Sequence, residues 1–120
     1  VNFTVIIGTS EVNKTSDVSI ELDRGSLDFG TLLSGQVSNP QVLNIRNTGI
    51  SDVRVTAEIG ASSDSIFSKG LYLSSHFWPD FSEVITNSTG KDVKVVFNIP
   101  ANYSENGMNK GSLVFRAEKV

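Results

Sequence analysis

Apolar residues recur at every second position along most of this chain, and that period marks strands. Successive side chains of a strand point to opposite faces, so an alternating stretch buries one face and wets the other. The first residues show it at once, with Val1, Phe3, Val5 and Ile7 on one face and Asn2 and Thr4 on the other. The same alternation continues through Val18, Ile20 and Leu22, through Leu43 and Ile45, and through Val53, Val55, Ala57 and Ile59. It returns in Val93, Val95, Phe97 and Ile99 and closes with Leu113, Phe115 and Ala117. Leu27 and Phe29 form a shorter apolar pair before Gly30. Enrichment in Val, Ile and Phe suits a half-buried pleated surface.

Turn chemistry separates these runs. Asn47-Thr48-Gly49 falls between two strong strands and predicts a tight hairpin, closed by a glycine in the left-handed region. Ser34-Gly35, Ser88-Thr89-Gly90 and Asn106-Gly107 read as turns too, and Pro40 and Pro100 sit at strand margins, where a missing N–H costs least. No segment has a convincing helical period. Residues 61–86 are the least regular and hold Ile66, Phe67, Leu71, Leu73, Phe77, Trp78 and Phe81. They predict a long crossover that lays Trp78 over an open end of the core, with a binding patch on Trp78 and Phe81 as the functional reading of the same residues. The expected fold class is all-β, an Ig-like or jelly-roll β-sandwich of about seven to nine strands.

The first strand poses a separate question. It is followed by a polar spacer, Ser10 to Asp17. An alternating strand left open would recruit other chains through its unpaired backbone and apolar face. It either closes its own sheet or enters a groove on a neighbour. The domain reading is therefore an N-terminal donor strand and linker over 1–12 and a single sandwich over 13–120.

Composition narrows the function classes. A chain of 120 residues forms one domain and buries a core without staples. Net charge is −3 with basic residues scattered, so no field exists to hold nucleic acid. No apolar run reaches the roughly 20 residues of a membrane span. A first residue of Val, with no leader pattern, implies a processed or trimmed chain. The absence of cysteine removes disulfides, thiolate metal sites and a thiol nucleophile. His76 is the only histidine and no nucleophile-elbow pattern surrounds it, so no catalytic residue is assigned and the chain is not read as an enzyme. Asp17, Asp23, Asp28, Asp52, Asp64 and Asp80 lie near turns and strand ends without Asp-X-Asp-X-Asp spacing, so no metal or cofactor is assigned either.

Sequons bear on location. Asn2, Asn13, Asn87 and Asn102 each begin an Asn-X-Ser/Thr triplet. With Ser and Thr at about a fifth of the chain, about two such triplets are expected by chance, so four is a modest excess. Three fall in linker or turn segments, where a glycan fits, and Asn2 falls on the polar face of the first strand.

Two longer stretches carry a resemblance. Leu27-Asp28-Phe29-Gly30-Thr31-Leu32-Leu33-Ser34-Gly35-Gln36, followed by Val42 to Gly49, resembles the loop, strand and Asn-Thr-Gly turn of secreted Ig-like sandwiches on prokaryotic surfaces. Val95 to Ala101 followed by Lys110 to Ala117 looks like the final hairpin of archaeal envelope domains. Together with the first strand, these make the chain similar to archaeal thread filaments and bacterial TasA-type matrix fibres. That resemblance implies that each subunit donates its N-terminal strand to a neighbour's sheet. Val1, Phe3, Val5 and Ile7 would then be the inserted side chains, and Ser10 to Ser16 the crossing linker. Four such side chains contribute about 6–12 kcal/mol gross, at about 1.5–3 kcal/mol each. Head-to-tail donation propagates without closing.

The favoured expectation is an extracellular structural filament subunit, a head-to-tail homopolymer built by donor-strand complementation. The alternative is a soluble binding module of an appendage anchor, stator or adhesin that contacts the surface-layer protein.

Overall fold

The computed structural model describes residues 2–11, 17–60, 63, 65–101 and 108–120, and of 2–6, 9–11, 65 and 108–110 it describes the backbone alone. Among the described residues, ten strands form two five-stranded sheets packed face to face. They are β1 (Asn2–Glu11), β2 (Ile20–Leu22), β3 (Ser26–Thr31), β4 (Gln41–Asn47), β5 (Val53–Ile59), β6 (Leu71–Leu73), β7 (His76–Phe77), β8 (Ser82–Ile85), β9 (Gly90–Phe97) and β10 (Met108–Lys119). The first sheet has the order β3-β1-β10-β5-β8 and the second β2-β4-β9-β6-β7. This is an Ig-like sandwich. β6, β7 and β8 have three, two and four residues and fall inside the irregular stretch 61–86, too short there for alternation to show them.

The long strands keep the faces that their alternation demands. Leu43 and Ile45 on β4, and Val93, Val95 and Phe97 on β9, point into the core from the second sheet. Val53 and Val55 on β5, and Leu113, Phe115 and Ala117 on β10, meet them from the first. Phe97 sits at the centre, edge-to-face with Phe67 at 5.1 Å and with Phe29 at 5.8 Å. Such edge-on pairs place the positive ring rim against the negative ring face.

β1 lies inside the first sheet. It runs parallel to β10, from Asn2 opposite Met108 to Glu11 opposite Ala117, and antiparallel to β3, with a register shift between Phe3 and Thr4. Ile7 is buried, in agreement with the inward face expected for it. Val1 and the side chains of Phe3 and Val5 lie outside the described residues. In the single chain, β1 is thus a strand of the sandwich itself, next to the residues beyond the boundary expected at 12.

Three local expectations are corrected. Asn47-Thr48-Gly49 does not close a hairpin, because β4 belongs to the second sheet and β5 to the first, so the turn crosses between layers. Gly49 has no positive φ, and its need for glycine is steric: a Cβ there would clash with the backbone of Asp17 and stand 3.0 Å from the amide nitrogen of Ser19. The stretch from Val95 to Ala117 is likewise no hairpin, since β9 and β10 lie in opposite sheets. Residues 61–86 contain a short helix, α1 (Ser65–Gly70), and a 3-10 turn over Trp78–Asp80. Helix α1 inserts Ile66 and Phe67 into the core, and six residues are too few for a helical period to show in sequence.

Candidate functional site

The face of the second sheet that turns away from the core carries the surface feature with the clearest chemistry. Outward positions of a solvated antiparallel sheet are ordinarily polar. Towards one end of this sheet they are not. On β9 the outward residues are Asp92, Lys94 and Val96, and on β4 they are Val42, Asn44 and Arg46. Cross-strand register sets Val42 opposite Lys94, Tyr72 opposite Val96, and Tyr72 opposite Phe77. The Tyr72 and Phe77 rings pack at 5.4 Å, and Phe77 continues to Trp78 at 6.2 Å.

The segment before β4 forms a wall beside this row. Val37 bridges Asn98. Ser38 is buried and doubly tied to Phe97: its N–H donates to the Phe97 carbonyl, and its Oγ accepts from the Phe97 N–H, both at 2.8 Å. That strap leaves Val37 and Pro40 lining a groove of about 330 Å³ with Tyr72, Lys94, Val96 and Asn98. Val37 is 55 % exposed and the neighbouring Val42 44 %, so the apolar surface is open to a partner. Lys94 is exposed at the groove and has no ion pair among the described residues. Further along the same sheet the face turns polar, with Asn44 Nδ2 donating to Asp92 Oδ1 at 3.0 Å.

The rim of the groove is strained. Ser74 and Ser75 join β6 to β7 and both have positive φ, 49° and 70°. Two consecutive left-handed residues are what a two-residue type I′ hairpin requires, and Asn-Gly rather than Ser-Ser is the favoured pair there. Ser74 N–H donates to the Lys94 carbonyl at 2.8 Å, and His76 Nδ1 lies 3.0 Å from the Ser74 carbonyl. His76 thus serves the turn.

A second cleft of about 370 Å³ lies along the seam between β1 and β2, lined by Ile7, Gly8, Ile20 and Leu22 and by Glu21, Asp23 and Arg24. Its charged walls make it a wet side of the sandwich.

Of the expected patch on Trp78 and Phe81, Phe81 is corrected. Phe81 is 2 % exposed and packs edge-to-face on Phe115 at 5.8 Å, so it is core. Trp78 is partly buried against the core, and its Nε1 donates to the Ser68 carbonyl at 2.8 Å, which leaves its polar atom satisfied. Asn87 is exposed in the turn between β8 and β9. Asn13, Asn102 and the side chain of Asn2 lie outside the described residues. Asp17 is close to the Gly49 turn, and Asp52 Oδ1 accepts from the Asn87 N–H at 3.0 Å. No cluster of three metal-ligating side chains forms among the described residues. Tyr72, Val42 and Val96 were not singled out by sequence, although a signal existed. Val42-Leu43 and Val95-Val96 each set two apolar residues side by side, which on a strand places one of them outward.

No family model matches the chain, and no curated protein matches it. Among solved structures it is similar to the ASH/PapD-like domain 7 of human CEP192, with a TM-score of 0.51 and 14 % identity, covering 88 % of this chain and 87 % of that one. At that identity the likeness defines the class of fold alone: a two-sheet, PapD-like sandwich of Ig type.

Proposed function

We propose that this chain is a β-sandwich binding module of a cell surface, which grips a protein partner through the apolar groove on β4, β9 and β6. The observation that carries this reading is the departure from a solvated face. Val37, Val42, Tyr72 and Val96 gather at one end of a sheet whose other end is polar. Open apolar patches of this kind mark interaction sites. Lys94 gives the groove one positive charge and hence a preference for a partner that brings a carboxylate. The partner class is a surface-layer protein or an appendage component, drawn from the sequons and the resemblance to secreted sandwiches.

The test is a titration of purified surface-layer protein against the intact chain, Val96→Glu and Arg54→Ala, the last lying on the other sheet. Val96→Glu is expected to weaken binding by at least about tenfold, equivalent to about 1.4 kcal/mol, while Arg54→Ala leaves it unchanged. Equal affinity for all three removes the groove from the reading.

A second reading, the filament subunit, rests on the slot between β3 and β10. β1 fills that slot with a continuous parallel ladder to β10, and a strand donated by a neighbour would occupy the same place. Light scattering with negative-stain imaging, on the intact chain and on a chain starting at Val12, separates the two readings. Fibres from the intact chain alone support donation. A monomer that loses cooperative folding on truncation supports the module.

A further inference from the structure

We propose that Asn87 carries an N-linked glycan, and that this sugar caps the open edge of the first sheet. Asn87-Ser88-Thr89 is a sequon of the Thr type. The turn presents its acceptor well. Asn87 is exposed, and its side-chain amide makes no hydrogen bond among the described residues, while its backbone N–H is held by Asp52 Oδ1 at 3.0 Å.

The turn also stands without that side chain. Ser88 N–H donates to the Asn47 carbonyl at 3.2 Å, Asn47 N–H donates to the Thr89 carbonyl at 2.8 Å, and Thr89 Oγ1 donates to the Thr86 carbonyl at 2.7 Å. A substituent on Nδ2 of Asn87 therefore breaks no contact that shapes the loop.

The third observation is what lies beside it. β8 is an edge strand, paired to β5 on one side only, and it ends two residues before Asn87. It carries Val84, 42 % exposed. Ile50, 69 % exposed, precedes Asp52 by two residues at the same end of the sandwich. An open edge with apolar side chains invites pairing with another chain, and folded proteins blunt such edges with charge, bulges or cover. A hydrated oligosaccharide on Asn87 supplies cover. It also leaves the groove free. Asn87 precedes the start of β9 at Gly90, whereas the groove is built at Val96, and six residues of strand rise about 20 Å.

The co-reactant is a lipid-phosphate-linked oligosaccharide. Nδ2 of Asn87 bonds to the anomeric carbon as the bond from that carbon to the phosphate oxygen breaks. The lipid phosphate leaves with the bonding electron pair, and Nδ2 gives up one proton.

Trypsin isolates this site, because residues 70–91 lie between Lys69 and the cut after Lys91 and contain Asn87 as their only sequon. The protein secreted by its own source is digested and this peptide weighed, and the full chain and Asn87→Gln are compared by light scattering. The expected result is a peptide heavier by an oligosaccharide, together with an Asn87→Gln chain that keeps its circular dichroism but associates at concentrations where the glycosylated chain does not. An unmodified 70–91 peptide overturns the site, whatever the other sequons carry. A glycosylated peptide with no change in association on Asn87→Gln overturns the capping role.

Discussion

Asn47 Nδ2 donates to the Ile85 carbonyl at 2.9 Å inside the sandwich, and so ties the end of β4 in one sheet to the end of β8 in the other. The same nitrogen donates to the Ser51 carbonyl at 2.8 Å, and Oδ1 accepts from the Gly49 N–H at 2.9 Å. The side chain is fully buried and each polar atom has a partner, so one amide holds three backbone segments in register.

Asn47→Ala removes that clamp and strands two carbonyls and one N–H. Each buried group left without a partner costs about 1–3 kcal/mol, so a loss above about 3 kcal/mol is expected in urea unfolding. A loss below about 1 kcal/mol would show that water replaces the amide.

Gly49 and Gly25 separate two reasons for glycine. A Cβ on Gly49 would meet the backbone of Asp17 and Ser19, whereas a Cβ on Gly25 would have nothing within 4 Å. Gly49→Ala is expected to cost about 1–3 kcal/mol by overpacking against main chain that has no side-chain rotamer to yield. Gly25→Ala is expected to be neutral or stabilising by up to about 1 kcal/mol, through loss of entropy in the unfolded chain. Thermal melts of the two variants side by side decide this, and equal melting points would refute the close-approach argument.

These residues also mark what sequence shows and what it hides. The inward faces of β4, β5, β9 and β10 were legible, because alternation is a local property and burial simply follows it. The path of the chain between sheets was not. Asn47-Thr48-Gly49 has the same local chemistry whether it turns a strand back on its neighbour or carries it to the other layer, and only the passage of residues 17–19 beneath it distinguishes the two. Phe81 lies in a segment too irregular to assign a face, and an apolar residue there reads equally as core or patch. The groove depends on Ser38 strapping Val37 and Pro40 beside β9, a contact 59 residues apart in sequence that no spacing rule reaches.

Gly111 tests the packing where β10 passes helix α1. A Cβ there would stand 2.7 Å from Cγ and Cδ2 of Phe67, a ring that is itself fully buried against Phe97. Gly111→Ala is expected to cost about 1–3 kcal/mol. In a Phe67→Leu background the added methyl meets a smaller side chain, so the penalty shrinks, and a double-mutant cycle should give a coupling of at least about 0.5 kcal/mol. Strict additivity would mean that the chain absorbs the methyl elsewhere.

The Ser74-Ser75 turn predicts a gain. Both residues hold positive φ, which costs a non-glycine residue more than glycine or asparagine. Replacing the pair by Asn-Gly fits the same backbone and should stabilise the chain by about 0.5–1 kcal/mol. An unchanged or lowered urea midpoint would show that the serines make compensating contacts.

Ser38 links stability to the groove. Its Oγ is the acceptor for the Phe97 N–H, and its own N–H is bound by the Phe97 carbonyl, so the segment carrying Val37 and Pro40 is fastened to β9 at two points. Ser38→Ala deletes one of them and takes the Oγ acceptor away from the Phe97 N–H, at a cost of about 1–2 kcal/mol. The second bond remains, so the core of β9 stays folded while the wall of the groove loosens. Hydrogen exchange reads this directly: the Phe97 amide should lose protection, while Val95, deeper in the same strand, keeps it. Partner binding should weaken together with Phe97 protection, because a mobile Val37 must be ordered again on docking. Loss of protection with undiminished binding would leave Ser38 a purely structural residue, and would place the contact surface on Tyr72, Val96 and Lys94 alone.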